Sequence, residues 1–130
     1  MKSLLPPGWP RPKGYSNGLA ARGRIILTAG VVGWDASEHF VSNTLAGQFA
    51  QALRNILAIL ECDGAGPGQI ALLTCYVTSI EEYLASLKEI GAAWKEVMGP
   101  HYPAMALVEI VRLVEPAAKV EIEATAVVPE

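Results

Sequence analysis

Cysteine and histidine are scarce in this chain, with two of each among 130 residues. Cys62 and Cys75 are too few for a disulfide scaffold and read as free thiols. His39 and His101 stand at no metal-ligand spacing from a Cys, Asp or Glu, so no metal is expected. A nucleophile elbow and a Walker loop are also missing. The glycines of DGAGPGQ (63–69) have no strand leading in and no helix opening after them, which leaves that segment a plain connection and no cofactor expected. Long apolar runs are absent too, because Arg54, Glu61 and Asp63 interrupt the only candidate for a membrane span. The opening MKSLLPPGWPRPKG offers only Leu4 and Leu5 before its prolines, so it lacks a secretory core, and a soluble, cytoplasmic protein is expected. Charge is likewise thin: 18% of residues are charged against 52% hydrophobic. A soluble domain of this size with that balance is expected to bury apolar surface against other copies of itself.

The net charge of −3 hides an asymmetry. Lys2, Arg11, Lys13, Arg22 and Arg24 all precede the first acid, Asp35. This basic segment reads as a solvated arm or as the border of an anion site. With no aromatic-basic strip and no histidine pair, the residues argue against nucleic acid as partner or substrate.

Pro6, Pro7, Pro10 and Pro12 predict an extended surface arm over residues 1–14 with no element of its own, followed by one domain over 15–130. Arg24–Gly30, RIILTAG, is β-branched and glycine-closed, which predicts a strand, with a short return strand at His39–Val41. Leu45, Phe49, Leu53, Ile56, Leu57 and Leu60 repeat at helical spacing, with Ser42 or Asn43 as N-cap and Gly64 beyond the end. Ile70–Thr78 is a buried strand. Ser79 and Glu82 form a capping box that opens a second helix, closed by Gly99 and Pro100. Ala104–Val111 and Lys119–Val128 complete a mixed sheet with the helices on one side. Its other, apolar face has no helix to cover it, so neighbouring copies are expected there.

The alternation in the last strand sets Glu121 and Glu123 opposite Val120, Ile122 and Ala124. With no apparatus for covalent catalysis, proton transfer by a carboxylate is the chemistry left. Glu109, Glu121 and Glu123 are the candidates, with Tyr15 as a hydrogen-bonding partner.

The segments GYSNGL, RIILTAGVVGWD, GQFAQALRNILAILECDGA, LLTCYVTSIEEY, HYPAMALVEIVRL and KVEIEATAVV, spread over residues 14–128, resemble the RidA (YjgF) family, also labelled endoribonuclease L-PSP. The resemblance implies a chorismate-mutase-like α+β fold: a mixed sheet with two helices on one face, three copies closing a central β-barrel and ligand clefts at subunit boundaries. It also implies hydrolysis of reactive enamines and imines to carbonyl compounds and ammonia without a cofactor. Carried over by position, it gives Glu121 and Tyr15 catalytic roles and places Gly30, Val31, Met105, Ala106 and Leu107 around the substrate. Met105 stands where the family has an arginine that grips the substrate carboxylate, Leu107 where a cysteine is common, and Ala29 where a serine is common. Such a charge-assisted contact is worth roughly 1.5–3 kcal/mol, or one to two decades in affinity. Small 2-imino acids are therefore expected to bind poorly and bulkier or uncharged substrates better, unless Lys88, Arg22 or Arg24 reaches the cleft. The alternative is a noncatalytic trimeric module that binds a metabolite or a protein in the same clefts.

Overall fold

The computed structural model describes residues 1–130. Two short strands, β1 (Lys2–Ser3) and β2 (Leu19–Ala20), pair with each other, while β3 (Arg24–Leu27), β4 (Val31–Val32), β5 (Ile70–Val77), β6 (Ala104–Glu109) and β7 (Val120–Val128) build the main sheet. Three helices, α1 (Leu45–Glu61), α2 (Ile80–Ala85) and α3 (Leu87–Met98), complete the chain. The sheet runs β3-β7-β5-β6, with β4 also on β7. Only the β5–β6 pair, joined through α2 and α3, is parallel. This is the mixed α+β sheet the sequence implies.

The helical stripe of α1 is buried as its spacing requires, with Leu45, Phe49, Leu53, Ile56 and Leu60 in the core. Its N-cap is Thr44, whose Oγ1 accepts from Gly47 N at 3.1 Å, so the expectation of Ser42 or Asn43 is corrected. Ser42 serves one step back, accepting from Thr44 N at 3.0 Å. The predicted second helix is interrupted at Ser86 (φ −109°, ψ 10°), whose hydroxyl donates to Glu82 O at 2.7 Å. A serine that bonds its own preceding turn competes with helix continuation. Ser79 caps α2 by accepting from Glu82 N at 3.1 Å, but the Glu82 carboxylate leaves the box and takes both oxygens to Lys119 Nζ at 3.0 and 3.1 Å.

Three strand expectations change. Arg24–Gly30 is split because Thr28 turns its side chain into the ladder. Its Oγ1 accepts from Ala124 N and its own N–H donates to Ala124 O, both at 3.0 Å. The return strand at His39–Val41 reduces to a single bridge, Trp34 to Phe40, because Asp35 Oδ1 gathers the N–H groups of Ser37 and His39 into a tight turn. The arm is not featureless, since Lys2–Ser3 pairs with Leu19–Ala20.

The period of two in β7 and β5 gives the sheet two unlike faces. Leu73, Cys75, Val77, Val120, Ile122 and Ala126 are fully buried beneath the helices. The opposite face carries Tyr76, Glu121 and Glu123 beside apolar residues that nothing covers, among them Ile25 (64% exposed) and Leu27 (70% exposed). No helix is long and apolar enough to cross a membrane.

Candidate functional site

Glu121 sits in β7 between Val32 of β4 and Tyr76 of β5. Of the three candidate carboxylates, two are already engaged. Glu109 Oε1 accepts from Ile80 N at 3.0 Å, adding a negative charge to the first turn of α2. That bond makes it a helix-end group within this chain. Glu123 Oε1 accepts from the Tyr76 hydroxyl at 2.7 Å. That bond, followed by burial and the negative charges of Glu123 and Glu121, pushes the Tyr76 phenol above its ordinary range. Glu121 forms no ion pair and lies against Gly30. A methyl group built at Gly30 would fall 2.5 Å from its Oε2, so any larger residue there would displace the carboxylate. The two residues expected to share a cleft wall are thus in contact, and Val31 follows, pairing with Ile122.

Tyr15, Met105 and Leu107 lie elsewhere. In β6, Met105 and Leu107 pair with Leu73 and Cys75 and so point to the helix side of the sheet. With Phe49, Ile90 and Trp94 they line a cavity of 480 Å³ between β6 and α3. Tyr15 borders it because Ser16 is stitched to the segment before β6: its N–H donates to Pro103 O at 3.0 Å and its hydroxyl to Tyr102 O at 2.5 Å. Trp94 donates to His101 O at 3.1 Å and stacks on Tyr102, ring centroids 6.0 Å apart and planes 11° apart. Burial raises the Tyr83 phenol and pushes the Cys75 thiol behind it up to about 12. The cavity floor is therefore apolar and its buried ionisable neighbours are neutral at pH 7.

Two cations border this cavity, Lys13 from the arm and Lys95 from α3. Both are exposed and neither forms an ion pair. Lys88 is not among its lining residues, because one position of rotation separates it from the exposed Leu87–Gly91–Lys95 row that borders the mouth of the cavity, above the buried Ile90, Trp94 and Met98. Arg24 is held by Asp63 at 3.0 Å, and Arg22 lies outside the lining. Within one chain, then, neither Lys88 nor either arginine borders the cavity that holds Met105. Lys95, which the sequence reading did not single out, shares the bordering row through the i, i+4, i+8 spacing of Leu87, Gly91 and Lys95.

Within one chain these residues thus fall into two groups on opposite sides of the sheet. Gly30 and Glu121 belong to one, while Tyr15, Met105 and Leu107 belong to the other. Ala106, paired with Thr74, faces away from the cavity. The most voluminous concavity, 1080 Å³ between residues 40–43 and 111–119, touches neither group. Its buried Gln48 has no spare donor, giving Nε2 to Ser42 O and Ala117 O and accepting from Lys119 N with Oε1. That concavity is a structural seam. No three His, Cys, Asp or Glu side chains converge as a metal site would require.

Residues 10–128 match the family model described as endoribonuclease L-PSP. The chain belongs to the endoribonuclease L-PSP family, also called RidA or YjgF. It is 31% identical over 105 residues to a RutC family protein of Haemophilus influenzae, covering 81% of this chain and 80% of that one. To a protein of Salmonella typhimurium named 2-iminobutanoate/2-iminopropanoate deaminase it is 30% identical over 108 residues, at the same coverage. Among solved structures, the Rid family protein YyfB of Yersinia pestis superposes with a TM-score of 0.83 at 28% identity over 98% of both chains. The yjgF product of Escherichia coli superposes with a TM-score of 0.68 at 30% identity, also over 98% of both. The fold and the RidA-like character of the chain follow.

Proposed function

We propose that this family member hydrolyses imines, or the enamines that tautomerise to them, in a cleft formed where the Glu121 face of one copy meets the Tyr15–Met105 cavity of the next. The observation that carries this reading is the contrast among the carboxylates: Glu109 and Glu123 are spoken for, and Glu121 alone sits unpaired against a glycine. The exposed apolar residues of the same face, Ile25, Leu27, Leu72 and Val108, favour a closed homotrimer as the assembly that joins the halves. In the reaction, water adds to the imine carbon while Glu121 accepts its proton. That proton is delivered to nitrogen to give a carbinolamine, Glu121 then carries the proton of the new hydroxyl to the same nitrogen as the carbon–nitrogen bond breaks, and ammonia leaves a carbonyl product. Tyr15 holds the substrate from the cavity side, and Met105 weakens the hold on small 2-imino acids in favour of bulkier or uncharged imines. Imines generated in place, with ammonia release as readout, test the reading. It requires acceleration that falls with Glu121→Gln, and equal rates for wild type and variant would refute it.

Met105 also supports a second reading, a trimeric module that retains a metabolite or a protein without turnover. Native mass spectrometry that finds a retained ligand in a protein inert toward every imine would favour it.

A further inference from the structure

Resting on the reading above, we propose that the cavity selects 2-imino acids with an aryl or branched apolar side chain, seated with the side chain inward and the carboxylate outward at Lys13 and Lys95. Gly91 is the residue that admits the bulk. Four observations support this orientation.

The first is size. The cavity holds 480 Å³, about sixteen water-sized units at roughly 30 Å³ each. A four-carbon 2-imino acid has about seven heavy atoms and would leave most of the floor bare. The second is the lining. Tyr15, Phe49, Tyr83, Trp94 and Tyr102 are five of the chain's nine aromatic residues. The stacked Trp94–Tyr102 pair and the Met105 thioether present flat and polarisable surfaces to a ring.

The third observation is the position of charge. An arginine at 105 would put the cation on the floor and draw a carboxylate inward. Here the floor is apolar and the two unpaired cations stand at the exposed rim, so the same carboxylate is held at the mouth. That places the adjoining imine carbon at the mouth too, where the neighbouring copy's Glu121 has to arrive. The fourth is Gly91 itself. It lies inside α3, where glycine is unfavourable by about 1 kcal/mol relative to alanine. A methyl group there would meet nothing within 4 Å. Backbone packing therefore does not require the glycine, and its missing side chain is cavity space.

Calorimetric titration with phenylpyruvate, a stable 2-oxo acid counterpart, against 2-oxobutanoate tests the proposal on the full-length protein. Phenylpyruvate is expected to bind at least tenfold tighter. Gly91→Leu fills the space and is expected to remove phenylpyruvate binding while α3 stays folded, and Gly91→Ala weakens it partially without lowering the melting temperature. Replacing Lys13 and Lys95 with alanine together is expected to reduce phenylpyruvate affinity three- to tenfold, the effect fading in high salt, and to leave the uncharged phenylacetone unchanged. Equal affinity for the two acids, or undiminished phenylpyruvate binding by a folded Gly91→Leu protein, overturns the proposal. Its failure is separable from failure of the hydrolysis reading. Selective binding without ammonia release from any imine overturns hydrolysis alone, whereas release at equal rates from small and aryl 2-imino acids overturns selectivity alone.

Discussion

The two faces of the central sheet are made by the same strands, and they obey opposite rules. On the helix side, Leu73, Cys75, Val120 and Ile122 are sealed from water. On the other side, one residue along each strand, Tyr76, Glu121 and Glu123 lie among apolar residues left open. A strand with one buried face specifies its register strongly, since a one-residue slip would put Glu121 in the core. The sealed face thereby fixes where the open face presents its carboxylate. The core lies on one side, and the carboxylates lie on the other among apolar residues that nothing in the chain covers.

The contrast is broken most severely at Glu121. Glu121→Gln is expected to lower imine hydrolysis by two to four decades, about 3–5.5 kcal/mol of barrier, with stability unchanged within about 0.5 kcal/mol. Glu123→Gln, beside it on the same face, should cost less than tenfold, because its carboxylate is committed to Tyr76. Steady-state ammonia release by both variants checks the difference. Comparable losses would erase the distinction drawn between the two acids.

Core truncation gives the next largest effect. Leu53→Ala beneath the sheet is expected to reduce stability by about 2–5 kcal/mol. Leu27→Ala on the open face should change the unfolding free energy of the isolated chain by under about 0.5 kcal/mol and weaken association instead. Urea unfolding together with sedimentation velocity separates these outcomes.

Met105→Arg should improve binding of 2-oxobutanoate by one to two decades, roughly 1.5–3 kcal/mol, at the expense of aryl acids. Calorimetry reads it directly, and an unchanged affinity would show that position 105 lies off the ligand's path. The smallest effect is with pH. Cys75 is held up to about 12 by burial, from an ordinary 9.0, so its folded pKa is raised. Its contribution is complete below pH 9, and is lost from there up to about 12 as the unfolded thiol ionises and the folded one does not. The slope is at most about 1.4 kcal/mol per pH unit. Urea melts at pH 8 and 10.5 should show that slope in the wild type and its absence in Cys75→Ala.

Much of this architecture was legible in the residue pattern. The α1 stripe, the β5 and β7 runs and the unlike sheet faces all follow from periodicity, which local sequence carries. The break at Ser86 was not legible, because a serine in a helical pattern reads the same whether its hydroxyl faces water or turns back on Glu82. Thr28 divides its strand through Ala124, 96 residues away. At the site, alternation exposed Glu121 and the resemblance gave it a role, but nothing local distinguished it from Glu109, whose helix-end partner Ile80 is 29 residues distant. Lys95 is not distinguishable from Lys88 by spacing alone, because which exposed row of α3 borders the cavity becomes clear only once β6 shows where the cavity is.

The most direct test of the two-copy cleft is complementation. Glu121→Gln loses the acid, Gly91→Leu blocks the cavity, and each variant alone should be inactive toward aryl 2-imino acids. Unfolded, mixed in equal amounts and refolded together, they are expected to regain activity in about a quarter of the clefts, those pairing an intact Glu121 with an intact cavity from another copy. A mixture as inactive as its components would mean that both halves act within one chain, and would contradict the account.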